Sequence, residues 1–431
     1  MINSKEAAEL LQELVSISSP YFREDEIMDY VLGWFGERGM KAELHRYYEA
    51  NVTGFRGKNV ILCLDGGEPG PHICLNGHLD TVKLCGGWTR NPGGELVTAD
   101  SGGAAAVAAG TDEAAAVAVN SGGAAGTGAA TNAGDLLYGV GALDMKSGCA
   151  ANMMALEEFY REHKTFRGKI SASFVSVEEG PCGIGTNALI EEGYMDGVDF
   201  SIITEPSAGF TGKPFPDLCL GARGGYGLEI ELMGKSTHAA TPEKGISAAA
   251  DAAKVICQLE GIHYEEDPCL GRGTACVVAV ECDGGSCSVP DRAVIKMFWH
   301  IVRGEDMGTI QAELEAAIAR AGIRCSHRIA FREGPSPDSK GFMPYVTPEA
   351  DPMVQEFMGS VEAICGKRPS VSYFQSIGDF NYLGSRLGAP AVIFGADGGN
   401  FHGSDEYVRL DTVAKTAEVV YDFLVRTLAA R

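Results

Sequence analysis

A chain of 431 residues, 45% hydrophobic and 22% charged, exceeds what one simple core accommodates and predicts two domains of ordinary globular composition. The formal net charge of -23 argues against nucleic acid and against an anionic membrane as partners. No apolar run reaches the ~18 residues of a membrane span and no basic, then apolar, segment opens the chain, while 13 scattered cysteines without a C-x-x-C pair fit a reducing compartment, so a cytoplasmic protein is expected.

Ser4 is placed to cap a first helix, with Ala7, Leu10, Leu11, Leu14 and Val15 at helical spacing. A second amphipathic helix carries Ile27, Met28, Tyr30, Val31, Trp34 and Phe35 and closes at Gly39. Strands follow at 41–47, 59–64 and 71–75, the last running into Gly77-His78-Leu79-Asp80-Thr81-Val82. Side chains at i and i+2 of an extended segment point the same way, so His78 and Asp80 reach one place. A ligating imidazole needs an acceptor on its other ring nitrogen, which Asp80 supplies. Taken alone, the pair reads first as a surface histidine near a turn aspartate.

Residues 98–134 break the pattern: small residues dominate, without one aromatic or basic side chain. The expectation is a mobile insertion of no catalytic importance. Glycines then crowd Asp144 in Gly141-Ala142-Leu143-Asp144-Met145-Lys146-Ser147-Gly148, ahead of a helix over 148–163, where an acidic residue also serves as a cap. Strand 169–177 ends in Glu178-Glu179-Gly180, adjacent carboxylates that repel unless something positive lies between them. Helix 185–193 leads to strand 200–204, which ends in Glu205-Pro206. Late in the chain, strand 391–394 runs into a loop presenting His402, and a helix over 412–428 closes the chain.

Between these lie strand 223–234, helix 246–259, strands 274–282 and 292–302, helix 306–320 and strand 323–331. That order, βαββαβ, forms a two-layer unit by itself. The expected fold class is α/β: a mixed-sheet catalytic domain at 1–216 and 336–431, with a ferredoxin-like domain inserted at 217–335.

Two histidines and several carboxylates at strand ends suit two divalent cations bridged by one carboxylate. Ligation by nitrogen and oxygen without thiolate favours zinc, with cobalt or manganese as alternatives. Such a metal pair makes hydroxide from water near neutral pH and polarises a scissile carbonyl. The adjacent glutamates divide naturally, one as ligand and the other off the metals as general base.

The strings Gly77 to Val82, Gly141 to Gly148, Glu178-Glu179-Gly180, Glu205-Pro206-Ser207 and His402 ahead of Asp405-Glu406-Tyr407-Val408 resemble the M20 metallopeptidase family. Aminoacylases, acetylornithine deacetylase, succinyl-diaminopimelate desuccinylase and glutamate carboxypeptidases belong to it. The resemblance covers nearly the whole chain outside 98–134. It implies a di-zinc-hydrolase-like catalytic domain in which Asp144 bridges two metals, His78 and Glu205 hold one, and Glu179 and His402 hold the other. It further implies Glu178 as general base acting on a metal-bridging hydroxide, Asp80 as the group orienting His78, and a cis peptide at Asp144-Met145. Glutamate at 205 resembles the deacylase and desuccinylase branch more than the dipeptidase branch.

The inserted domain resembles the family's lid and dimerisation domain, which implies a homodimer. His238, in Lys235-Ser236-Thr237-His238-Ala239-Ala240, matches a histidine that steadies the oxyanion, and Arg223 matches a position at the domain hinge. Two positions depart from the family. Ser288 and His300 stand where relatives have an asparagine and an arginine that grip a substrate carboxylate, and histidine cannot copy arginine's bidentate fork. Gly378-Asp379-Phe380 is equally a structural turn or a substrate contact. Cys182 reads as a small buried residue, and Lys146 as a solvated or salt-bridged side chain. The expected activity is hydrolysis of an amide in a small N-acyl amino acid or short peptide. A carboxypeptidase or dipeptidase is the alternative, and a non-catalytic metal-binding relative is disfavoured because it has no use for Glu178.

Overall fold

A computed structural model describes residues 2–99 and 134–429, so the insertion expected at 98–134 lies, but for its ends, outside the described residues. The chain forms two compact units. One comprises Met1–Leu220, Thr347–Ser372 and Arg386–Arg431; the other comprises Gly221–Val346 and Tyr373–Ser385.

The first unit is built on a mixed sheet. Its strands run in the order Ala42–Tyr48, Arg56–Asp65, Phe166–Val175, Gly67–His78, Phe200–Ile203, Ala391–Ile393 and Asp217–Ala222. The four from Phe166–Val175 to Ala391–Ile393 are mutually parallel, and the outer ones pair antiparallel. The buried strands are short apolar runs; Phe200–Ile203 is buried along its whole length. Phe200, Phe357, Phe394 and Phe423 pack together against it, from the sheet and from the helices Pro352–Cys365 and Leu410–Leu428. The helix Lys146–Glu162 lies close enough to the sheet that a Cβ on Gly148 would meet the Thr204 carbonyl oxygen at 2.0 Å. Only glycine fits there.

A second, four-stranded antiparallel sheet joins Gly398–Gly399, Tyr407–Arg409, Leu136–Tyr138 and Glu95–Val97. Its last pair brings Val97 beside Leu136.

The other unit has the order strand Gly224–Met233, helix Ala248–Leu259, strands Thr274–Cys282 and Arg292–Ile301, helix Met307–Ala321 and strand Ser326–Phe331. All strand pairs are antiparallel, with the second strand at one edge and the fourth at the other. One face buries Tyr226, Leu228, Ile230, Ile295, Met297 and Trp299 beneath the two helices. This is the expected βαββαβ unit, with different limits from 217–335. Its chain runs on to Val346 and takes back Tyr373–Ser385 because Asn381 Nδ2 donates to the carbonyls of Arg223 and Met343, at 2.8 and 2.9 Å.

Local differences from the sequence reading have simple causes. Asn3, not Ser4, caps the first helix, accepting from the Lys5 N–H. The helix Pro352–Cys365 was not expected, although Asp351 caps it, Pro352 opens it, and Val354, Phe357, Met358 and Val361 are buried at helical spacing. Lys146 is neither solvated nor in a surface ion pair. It is buried and donates to the carbonyls of Leu14 and Ile17, at 3.0 and 2.8 Å. No helix among the described residues is long and apolar enough to cross a membrane.

Candidate metal centre

The four parallel strands of the first unit end on one edge, where the open face of an α/β sheet collects ligands. Gly67–His78 ends in His78 itself. Phe166–Val175 runs into Glu178 and Glu179, and Phe200–Ile203 into Glu205. Ala391–Ile393 leads to the hairpin between Gly399 and Tyr407, whose loop carries His402. Asp144 stands at the entrance of the helix Lys146–Glu162, joined to Met145 by a cis peptide. The small sheet pairs Tyr407 with Tyr138 and so ties the His402 hairpin to the Asp144 loop.

The two oxygens of Asp144 face different imidazoles. Oδ1 lies 3.3 Å from His78 Nε2, and Oδ2 lies 3.3 Å from His402 Nε2. On the first side Glu205 Oε1 is 3.4 Å from His78 Nε2; on the second Glu179 Oε2 is 2.8 Å from His402 Nε2. Glu178 Oε2 stands at 3.9 Å from His78 Nε2. His78, Asp144 and Glu179 can each point one donor atom at a common ion.

Protonation inside this cluster is unusual. Burial alone would lower the His78 pKa, yet the carboxylates of Glu205, Asp144 and Glu178 raise it well above the ordinary value. His402 is pushed up to about 11 by its hydrogen bonds to Asp144 and Glu179. Burial raises Glu205 to about 8 despite the His78 ring, and raises Glu179 to about 7 with Asp144 adding to it. For Asp144 burial pulls upward, but His402 and His78 hold it down. Four carboxylates around two rings call for positive charge. Buried His78 Nε2 and Glu205 Oε2 have no hydrogen-bond partner of good geometry, and both atoms are metal-donor types. The residues fit metal.

Asp80 does something other than expected. His78 Nδ1–H donates to the Asp80 backbone carbonyl at 2.9 Å, which leaves Nε2 as the free donor of the neutral ring. The Asp80 carboxylate is 3.7 Å from that ring nitrogen and instead accepts the N–H groups of Glu178 and Glu179 at 3.0 and 2.9 Å. So the carbonyl orients the histidine and the carboxylate orients the glutamate pair. Sequence reading also passed over Glu406. It is buried and accepts the N–H groups of Gly141, Leu143 and Asp144, the loop that aims the Asp144 side chain. The one signal was its place in the string after His402.

Seven of the expected residues, His78, Asp80, Asp144, Glu178, Glu179, Glu205 and His402, therefore meet at one edge. The family model for peptidase family M20/M25/M40 matches residues 118–426, well over half of the chain. The chain belongs to peptidase family M20/M25/M40. A succinyl-diaminopimelate desuccinylase from Sulfurimonas denitrificans is 23% identical over 416 residues, which cover 95% of this chain and 96% of the relative. A tripeptidase from Staphylococcus aureus superposes with a TM-score of 0.73 at 18% identity, covering 99% of each chain. A dinuclear metal binding peptidase of the M20 family from Bacillus subtilis gives a TM-score of 0.64 at 13% identity, again over 99% of each chain. As an M20-type hydrolase the chain is a metal-dependent peptidase or deacylase, and the edge just described is its candidate metal site.

The remaining residues of interest lie in the other unit or away from the metals. His238 is exposed, and its Nδ1 accepts the Ala240 N–H at 3.1 Å, so the neutral ring carries its proton on Nε2. His238 and Ser288 are backbone bridge partners. His300 packs its ring on Phe298 and lies 3.4 Å from the Ser376 hydroxyl; burial and then the Arg223 charge lower its pKa. Arg223 itself donates to the Leu270 carbonyl at 2.9 Å. Cys182 is a small buried residue in an apolar cluster with Tyr47, Val177 and Ile184.

Proposed function

We propose that the chain hydrolyses the amide of a small N-acyl amino acid or short peptide at two divalent ions, zinc before cobalt or manganese. The observation that carries this reading is the split of Asp144, with one oxygen toward His78 and the other toward His402. His78 and Glu205 would complete one site, Glu179 and His402 the other. Bound there, the ions supply Lewis acidity to the scissile carbonyl and acidify a water.

Glu178 is the general base of this reading. Its carboxylate is partly buried beside the ligands and belongs to neither proposed ligand set, which suits it to take a proton from the attacking water and pass it to the leaving nitrogen. His238 would serve as an N–H donor to the developing oxyanion of a neighbouring active site, a role its Nε2–H tautomer suits. The edge strand Thr274–Cys282, with Val278 and Val280 exposed, favours a homodimer through the βαββαβ unit, the family's lid and dimerisation domain. Thirteen free thiols favour a reducing, cytoplasmic setting.

Glutamate at 205 and a relative named for removing succinyl from diaminopimelate favour the N-acyl substrate. Ser288 and His300 argue against the usual arginine grip on an α-carboxylate. The test is a hydrolysis panel of N-acyl amino acids against dipeptides in zinc, cobalt or manganese. Turnover of N-acyl amino acids is expected; preference for dipeptides moves the chain to the peptidase branch. Metal-loaded protein inert to both classes would sink the proposal.

A further inference from the structure

Of the four backbone N–H groups that lead into and through the glutamate pair, those of Ser176, Glu178 and Glu179 end on buried side-chain oxygens. The Ser176 N–H donates to Asn59 Oδ1 at 3.1 Å, and the Glu24 carboxylate lies by the Val177 backbone. The N–H groups of Glu178 and Glu179 go to the two oxygens of Asp80, at 3.0 and 2.9 Å. Loop amides are ordinarily met by water or by other backbone. Here the acceptors come from two separate places, Asn59 on the strand Arg56–Asp65 and Asp80 after Gly67–His78, with Glu24 beside them ahead of the helix Asp25–Glu37.

The loop needs holding. Val177 has φ 59°, a left-handed conformation that a β-branched residue adopts rarely and at a cost. Phe22 is left-handed too, at φ 70°, and its N–H donates to the same Glu24 carboxylate at 2.9 Å. Asn59 reaches both ends of the loop, since its Nδ2 donates to the Gly185 carbonyl at 3.0 Å while its Oδ1 takes the Ser176 N–H. A Cβ on Gly185 would meet the Ser176 carbonyl oxygen at 2.3 Å and Asn59 Oδ1 at 2.9 Å, so the glycine is what lets the loop close on this clamp. Placing the buried Glu24 carboxylate near that of Asp80 is costly for a loop that needs only closing.

We infer that Glu24 and Asn59 are positioning residues for the general base: with Asp80 they fix the backbone of residues 176–179, so that Glu178 and Glu179 keep separate directions. The inference rests on the reading of Glu178 as base. A catalytic group displaced by about 1 Å loses on the order of 10²-fold in rate, which sets the size of the effect.

The experiment compares Glu24→Leu, Glu24→Gln, Asn59→Leu and Glu178→Gln in the metal-loaded full chain. Both leucine variants should lower kcat by about 10- to 100-fold with metal content and KM near those of the parent. Glu24→Gln keeps one acceptor oxygen and should fall between. Unaltered kcat in folded, metal-loaded Glu24→Leu, with only the melting temperature reduced, overturns the inference. Residue-level hydrogen exchange on the parent protein decides the matter even where a leucine variant does not fold: slow exchange of the amides of 176–179 is expected, and fast exchange overturns the clamp. Full activity in Glu178→Gln would remove the base itself, and this inference with it. Normal kcat in Glu24→Leu beside an inactive Glu178→Gln removes the inference alone.

Discussion

The backbone N–H of Asp144 donates to Glu406 Oε1 at 3.0 Å. That oxygen also takes the Leu143 N–H, and its partner takes the Gly141 N–H, each at 2.9 Å. Glu406 follows the His402 loop, so one carboxylate couples the Asp144 loop to the His402 hairpin. Removing such a supporting group costs metal affinity ~10–100-fold in comparable sites. Glu406→Ala should show a loss of that order in a chelator-competition titration. Unchanged affinity would mean that the loop holds itself.

Glu178→Gln replaces the proposed base with a group that cannot take a proton and leaves the metal donors in place. Metal content should stay at the parent level while kcat falls by about 10²- to 10⁴-fold. Parent activity in this variant would reassign the base.

Val97 pairs with Leu136, so the chain between them is spanned by a short turn's distance. Replacing residues 100–133 by a Gly/Asn turn should therefore leave folding and metal content intact, as read by circular dichroism and metal analysis. Loss of metal would give that segment a part in the site.

Asp251 offers a pH test remote from the metals. It accepts the Arg324 and Cys325 N–H groups at 2.7 and 2.9 Å and pairs with Lys254 at 2.8 Å. Burial alone would raise its pKa, but Lys254 and those N–H groups outweigh it and hold the carboxyl down to about 2. A folded pKa below the unfolded one, ~3.9, gives stability that is complete above about pH 4 and is lost as pH falls through about 2. The difference in urea midpoint between the parent and Asp251→Asn should stay level from about pH 7 to 5 and shrink below about pH 4. A gap that holds its size in acid would show that the side chain acts through shape instead of charge.

Much of the site was legible because its chemistry sits at strand ends. An apolar run followed by His, Asp or Glu marks both the strand and the group it delivers, and no long-range information is needed to see it. The βαββαβ order was legible for the same reason, since each element carries its own periodicity. Lys146 was misread: a lysine beside an active-site motif looks solvated until the carbonyls of Leu14 and Ile17 are seen around it.

The sequence by itself determined which residues could ligate metal, that the sheet is α/β, and that a second compact unit interrupts the first. Residue type and local spacing settle those questions. Only the tertiary structure decided that Asp80 turns its carbonyl to His78 and its carboxylate to the glutamate pair, and that Glu406 holds the Asp144 loop. Those roles depend on which backbone N–H groups lack partners once the strands have ended. The acceptors that reach them come from chain segments far away in sequence, and no local pattern records the encounter.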